Sequence, residues 1–176
     1  MNHEREEKHI ISTLVENHFG VLARVSGLLS SRGFNIDSLA VAETTDPDTS
    51  RMTIVTRGDE RIIEQIIKQL YRLVDVIKVV DLAECPHVER ELALIKIAAD
   101  QEQRTAILQI VDVFRARTVD FSPQSITVEV TGDSRKIGAM TAMLEPFGIM
   151  EVARTGVVAL SRELDGTSIH NAEKAA

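Results

Sequence analysis

One stretch of this chain is written twice, and that constrains its fold more than any other feature. Thr53-Ile-Val-Thr-Arg-Gly-Asp-Glu-Arg-Ile-Ile63 aligns with Thr127-Val-Glu-Val-Thr-Gly-Asp-Ser-Arg-Lys-Ile137. Each copy runs from a β-branched, strand-like segment through Gly-Asp into positions spaced as on a helix face, and the Asp is an N-cap residue type. A strand, a tight turn and a helix start therefore recur once in each half, so the halves are read as two equivalent units.

The other elements fit that reading. Residues 8–16 are apolar and β-branched and predict a strand; Asn17-His-Phe-Gly20 interrupts it. Val21, Leu22, Val25, Leu28 and Leu29 then mark one helix face, and Arg32-Gly33 stops it. Asn35–Thr44 and Arg51–Arg57 predict a hairpin about the turn formers of 45–49. A helix capped by Asp59 is expected to bury Ile62, Ile63, Ile66, Ile67, Leu70 and Val74, and Val76–Leu82 is expected to close the half as a strand. The second half repeats the order: a strand over Leu92–Ala99, a helix from about Gln101 with Ile107, Ile110, Val111 and Phe114, and a hairpin of Thr118–Phe121 with Ser125–Thr131. A helix carrying Ile137, Met140, Leu144 and Phe147 and a strand region over Ile149–Leu160 complete it.

The expected fold class is α+β, two tandem ferredoxin-like βαββαβ domains over 8–83 and 91–165, joined by a linker at 84–90 around Pro86 and followed by a polar tail at 166–176. Strands such as Ile54/Val55, Ile77 and Val79/Val80 look apolar on both faces. A sheet with helices on one side only should alternate, so the second face is expected to meet another domain or subunit.

Composition narrows the function. With 20 Lys+Arg against 27 Asp+Glu the net charge is −7, which disfavours a general nucleic-acid or anionic-membrane binder. Five Phe, one Tyr and no Trp leave few stacking platforms, and the hairpin strands lack the aromatics of an RNA-recognition sheet. A single cysteine, Cys85, excludes an intrachain disulfide and fits a reducing compartment. The charged N-terminus has no apolar segment of a secretory signal, so a cytoplasmic protein is expected. The histidines, at 3, 9, 18, 87 and 170, have no metal-ligand spacing, and neither GxGxxG nor GxxxxGK[ST] occurs. No catalytic residue and no metal or cofactor site is predicted.

One junction carries binding chemistry. Asn17-His18-Phe19-Gly20 lies where a strand gives way to a helix, whose first N–H groups can hold a small carboxylate without a basic side chain. Gly20 would admit a ligand to the backbone, Asn17 could cap the helix or bond the ligand, and Asn35 could accept from an ammonium group. Val15, Val21 and Leu22 supply aliphatic flanks. A plain tight turn would use the same Asn17 and Gly20, with Asn35 following Gly33 as loop chemistry.

The stretch from Val15 to Leu39 (Val-Glu-Asn-His-Phe-Gly-Val-Leu-Ala-Arg-Val-Ser-Gly-Leu-Leu-Ser-Ser-Arg-Gly-Phe-Asn-Ile-Asp-Ser-Leu) resembles the opening of an ACT domain, specifically that of the acetohydroxyacid synthase (acetolactate synthase) small regulatory subunit family. Ser50–Val55, Val88–Lys96 and Glu151–Arg162 resemble the same family, and the likeness spans roughly 8–163. The resemblance implies a non-catalytic subunit that activates the catalytic subunit and confers feedback inhibition by branched-chain amino acids, valine above all. It implies a homodimer through the N-terminal domain, with the effector at that interface on Asn17, Gly20, Val21, Leu22 and Asn35. Thiamine diphosphate, FAD and magnesium would belong to the catalytic partner. His18-Phe19 departs from the small or Pro-containing pair expected before the glycine. An ACT-type regulator of a different metabolic enzyme is the alternative.

Overall fold

The computed structural model describes residues 7–162, which divide into two compact units, one up to Val88 and again from Ala159, the other Glu89–Val158. The first contains β1 (Glu7–Glu16), α1 (Val21–Ser31), β2 (Ser38–Glu43), β3 (Thr49–Gly58), α2 (Glu60–Leu70) and β4 (Val76–Asp81). Its antiparallel sheet has the order β2-β3-β1-β4. The second contains β5 (His87–Ala98), α3 (Arg104–Val113), β6 (Arg117–Phe121), β7 (Ser125–Gly132), α4 (Ser134–Leu144) and β8 (Ile149–Arg154), in the matching order β6-β7-β5-β8. A short β9 (Val158–Ser161) also pairs with β5. Two ferredoxin-like α+β units are thus present, as the repeat predicts.

The Gly-Asp turns show why the repeat is kept. Asp59 Oδ1 accepts from Ile62 N at 2.8 Å, and Asp133 Oδ1 accepts from Lys136 N at 2.8 Å. Each cap satisfies one orphan N–H of its helix. A Cβ on Gly58 would lie 2.8 Å from Ile62 Cγ2 and 2.9 Å from Ile62 Cβ, and one on Gly132 would lie 2.6 Å from Lys136 Cδ. The first helical turn folds back onto the end of the strand at both places, so a side chain would meet the branched Ile62 at Gly58 and the more flexible Lys136 at Gly132.

Each unit has an aliphatic core. In the first, Ile11 and Val15 of β1, Met52 and Ile54 of β3 and Val79 of β4 pack with Val21, Val25 and Leu29 of α1 and Ile63, Ile66 and Leu70 of α2. In the second, Ala93, Ile95, Ile97, Ile126, Val128 and Val130 pack with Ile107, Val111, Ile137, Met140 and Leu144. On the opposite face of the first sheet, the cross-strand pairs Ile10/Val55 and Ser12/Thr53 are buried as well. Ile77, expected to share the two-faced character, is 43% exposed near the start of edge strand β4.

Several expectations need correcting. Val74 is 94% exposed: α2 ends at Leu70, and the backbone turns over it through Leu73 N–Leu70 O and Val76 N–Leu73 O bonds, so the helical period stops short of Val74. Ile62 and Ile67, expected to be buried, are half-buried against the first core rather than inside it; Ile110, Phe114 and Phe147 flank the second core in the same way. Phe114 caps α3, and Phe147 lies in a 3-10 turn, Glu145–Phe147. The hairpin strand read from Asn35 begins only at Ser38. The stretch 84–90 already contains the start of β5 at His87, and the region Ile149–Leu160 is two strands separated by 155–157. The polar tail read over 166–176 lies outside the described residues. No helix among them is long and apolar enough to cross a membrane.

Candidate effector-binding site

The β1–α1 junction is held by backbone before any side chain acts. Glu16 N donates to Asp75 O at 2.9 Å and Asn17 N to Asp48 O at 2.7 Å, which fixes where β1 ends. Gly20 is the N-cap of α1 with φ +88°, a left-handed conformation that favours glycine, and no side chain caps the helix. Arg24 N donates to Gly20 O at 3.0 Å and starts the helix. No acidic residue occupies the first turn. The positive end of α1 is thus left without a carboxylate of its own.

Asn17 does not cap α1. Its Nδ2 donates to Pro47 O at 2.8 Å and reaches Glu43 Oε1 at 3.3 Å, tying the junction to the turn after β2. Val21 is in the core at 3% exposure, so of the aliphatic flanks only Leu22, 46% exposed, opens to solvent beside Gly20. Phe19, at the loop tip, is fully exposed.

Asn35 lies elsewhere. It follows α1, whose 11 residues span about 16 Å, so it stands at the opposite end of the helix from Gly20. Its carbonyl oxygen accepts from Thr56 Oγ1 at 2.7 Å, near the end of β3, whereas Asn17 is bonded to Asp48, just before the start of β3. A single chain therefore brings Asn17, Gly20, Val21 and Leu22 together and leaves Asn35 apart from them.

The sequence gives no signal for the charged cluster beneath the junction. His18 Nε2 is 3.1 Å from both Glu16 Oε2 and Asp75 Oδ1, and Arg24 Nε donates to Asp75 Oδ2 at 2.7 Å. The Arg24 hydrogen bond is the largest influence holding the Asp75 carboxyl below its ordinary value. Glu16, His18 and Asp75 place three donor atoms within 4.8 Å of one another, a spacing a metal ion could use. Arg24 already supplies the positive charge that buried Asp75 needs. Asp75 is distant in sequence from Arg24 and His18, and no local motif marks it.

Comparison with known proteins places the chain in a family. Residues 11–78 match the ACT domain model described as that of the acetohydroxyacid synthase small subunit, and 90–163 match the model described as the small subunit of acetolactate synthase. The chain is similar to the acetolactate synthase small subunit of Aquifex aeolicus, 52% identical over 89% of this chain and 82% of that one. It is also similar to the probable acetolactate synthase small subunit of Methanothermobacter thermautotrophicus, 54% identical over 89% of this chain and 94% of that one. The crystal structure of the acetolactate synthase small subunit from Thermotoga maritima superposes with a TM-score of 0.82 at 42% identity, covering 89% of this chain and 98% of that chain.

Proposed function

Because the chain belongs to the acetolactate synthase small-subunit family, we propose that it is a non-catalytic regulatory subunit that binds the acetolactate synthase catalytic subunit, raises its activity and makes it subject to feedback inhibition by valine. Thiamine diphosphate, FAD and magnesium then remain with the catalytic partner, and this chain senses the end product of the branched-chain pathway. The observation that carries the sensing role is the start of α1: a left-handed Gly20, no side-chain cap and no acidic residue in the first turn, with Leu22 exposed beside it. Such a helix start accepts a carboxylate, and an aliphatic neighbour accepts a branched side chain.

The separation of Asn35 from Gly20 supports a site completed by a second copy. Strand β2 begins just after Asn35 and ends at Glu43, which touches Asn17. A twofold that pairs β2 antiparallel with the β2 of another copy sets the Asn35 end of one chain beside the Gly20 end of the other. Strand β2 is suited to that pairing: it is an edge strand, its register with β3 is unbroken, and its middle is Leu39-Ala-Val-Ala42. Its counterpart β6 carries a bulge between Thr118 and Asp120, a device that blunts an edge. Dimerisation through the N-terminal unit follows, with effector bound between copies.

Acetolactate formation from pyruvate, measured with this chain alone, the catalytic subunit alone and both, with and without valine, tests the reading. No activity alone, stimulation on mixing and valine inhibition only of the mixture are expected. No gain on mixing overturns it.

A further inference from the structure

Asn35 is held in one orientation by its neighbours. Its Nδ2 donates to Asp37 Oδ1 at 2.9 Å, and Arg57 Nε donates to the other oxygen, Asp37 Oδ2, at 2.8 Å. A carboxylate can only accept hydrogen bonds, so Asp37 turns the NH2 of Asn35 toward itself and the carbonyl Oδ1 away. The backbone on either side is pinned to β3, through Thr56 Oγ1 to Asn35 O at 2.7 Å and Asp37 N to Val55 O at 2.8 Å. These bonds hold the backbone that carries the Asn35 side chain, and the bond from Asn35 Nδ2 to Asp37 Oδ1 sets which way its amide faces.

We propose that Asp37, braced by Arg57, is a positioning residue that fixes the Asn35 amide with its carbonyl outward and thereby makes the effector site select ligands bearing an α-ammonium group. The inference rests on the reading of Asn35 as part of the effector site. An outward carbonyl accepts from an ammonium, whereas an outward NH2 repels it. The series from guanidinium to carboxylate to amide to ammonium alternates donor and acceptor at every step, so each bond polarises the next in the same sense. Asp37 acts through Asn35: its own two oxygens are engaged by Asn35 and Arg57.

Asp37→Asn separates this role from simple structural support. An asparagine there has one carbonyl oxygen, which the charged Arg57 claims, and its own NH2 then faces Asn35 and turns that amide round. Isothermal titration on the full chain compares L-valine with 3-methylbutanoate, which keeps the carboxylate and the branched skeleton but lacks the ammonium. Wild type should prefer valine. Asp37→Asn should weaken valine about tenfold or more, leave 3-methylbutanoate unchanged, and add nothing in an Asn35→Ala background. If Asp37→Asn does not fold, Asp37→Glu, which keeps an acceptor-only group, takes its place; it should retain the preference for valine, and losing it overturns the proposal. Unchanged valine binding, equal weakening of both ligands, or full additivity with Asn35→Ala also overturns it. If wild type itself binds neither ligand, the effector reading fails and this inference falls with it, a result visible before any variant is made.

Discussion

Arg24 Nε donates to Asp75 Oδ2 at 2.7 Å, joining residues 51 apart in sequence and tying the first turn of α1 to the segment just before β4. Asp75 is 4% exposed, and Arg24 is the leading reason its carboxyl titrates below the ordinary 3.8. A carboxyl whose folded pKa is depressed adds stability above its unfolded pKa and loses it as pH falls through the folded value. Arg24→Gln should therefore be less stable than wild type near pH 7, with the gap closing as pH falls past the ordinary carboxyl value and through the depressed folded one. Urea midpoints across that range check it, and a gap independent of pH would mean that packing, not charge, is what Arg24 contributes.

The two Gly-Asp turns make a graded test of close approach. Alanine at Gly58 meets the branched Cβ and Cγ2 of Ile62, which cannot move without disturbing the core, and should cost about 1–3 kcal/mol. Alanine at Gly132 meets chiefly Cδ of Lys136, a flexible side chain that can swing aside, so its cost should be smaller. Thermal unfolding of the two variants gives the order, and a reversed order contradicts the steric account.

How far the sequence carries the fold is visible at the same positions. The Gly-Asp turns are legible because the cap, the small residue and the helix period all lie within a few residues and occur twice. The end of α2 is not: Val74 continues the helical spacing, and what stops the helix is tertiary, with Tyr71 leaving to exchange hydrogen bonds with the backbone of Val79. His9, whose Nδ1 is 2.8 Å from buried Asp81 Oδ2, pairs across β1 and β4 with no local signature. At the candidate site, the glycine and the helix start are legible as local chemistry. The distance between Asn17 and Asn35 is not, since spacing along the chain does not say at which end of a helix a following loop residue lies. Asp37 escapes notice for another reason: its function is to orient a neighbour, and nothing about its type announces that.

The second unit has its own charged fastening. Arg154 of β8 grips Glu91 of β5 through two bonds, Nε to Oε1 at 2.7 Å and Nη2 to Oε2 at 2.6 Å, and Glu91 is buried while Arg154 is half-exposed. Removing the arginine strands a buried carboxylate, so Arg154→Ala should cost roughly 2–3 kcal/mol, less than a fully buried pair would because solvent reaches one partner. Denaturation measures it. Valine affinity of the folded protein should be unaffected, because every residue assigned to sensing lies in the first unit; a parallel loss of valine binding contradicts that assignment.

Gly20 separates charge from backbone geometry at the effector site. Its φ of +88° strains any L-residue, by about 1–2 kcal/mol, and Asn and Asp bear that conformation best. A Cβ there would stand 3.1 Å from Arg24 Nη1, the far end of a flexible side chain. Gly20→Asp and Gly20→Asn should therefore both fold, with similar losses of stability, and both should still stimulate the catalytic subunit. They should differ in sensing: the aspartate sets a negative charge where the effector carboxylate is expected, at the positive end of α1, and the asparagine does not. The expected result is strong valine resistance in Gly20→Asp and a smaller shift in Gly20→Asn, read from valine dose responses of the reconstituted enzyme with uninhibited activity as the control. Equal resistance in both would assign the effect to the turn rather than to charge. Full sensitivity in both would move the carboxylate away from α1, while loss of stimulation in both would mean that the Asn17–Gly20 loop serves the fold or the contact with the catalytic subunit.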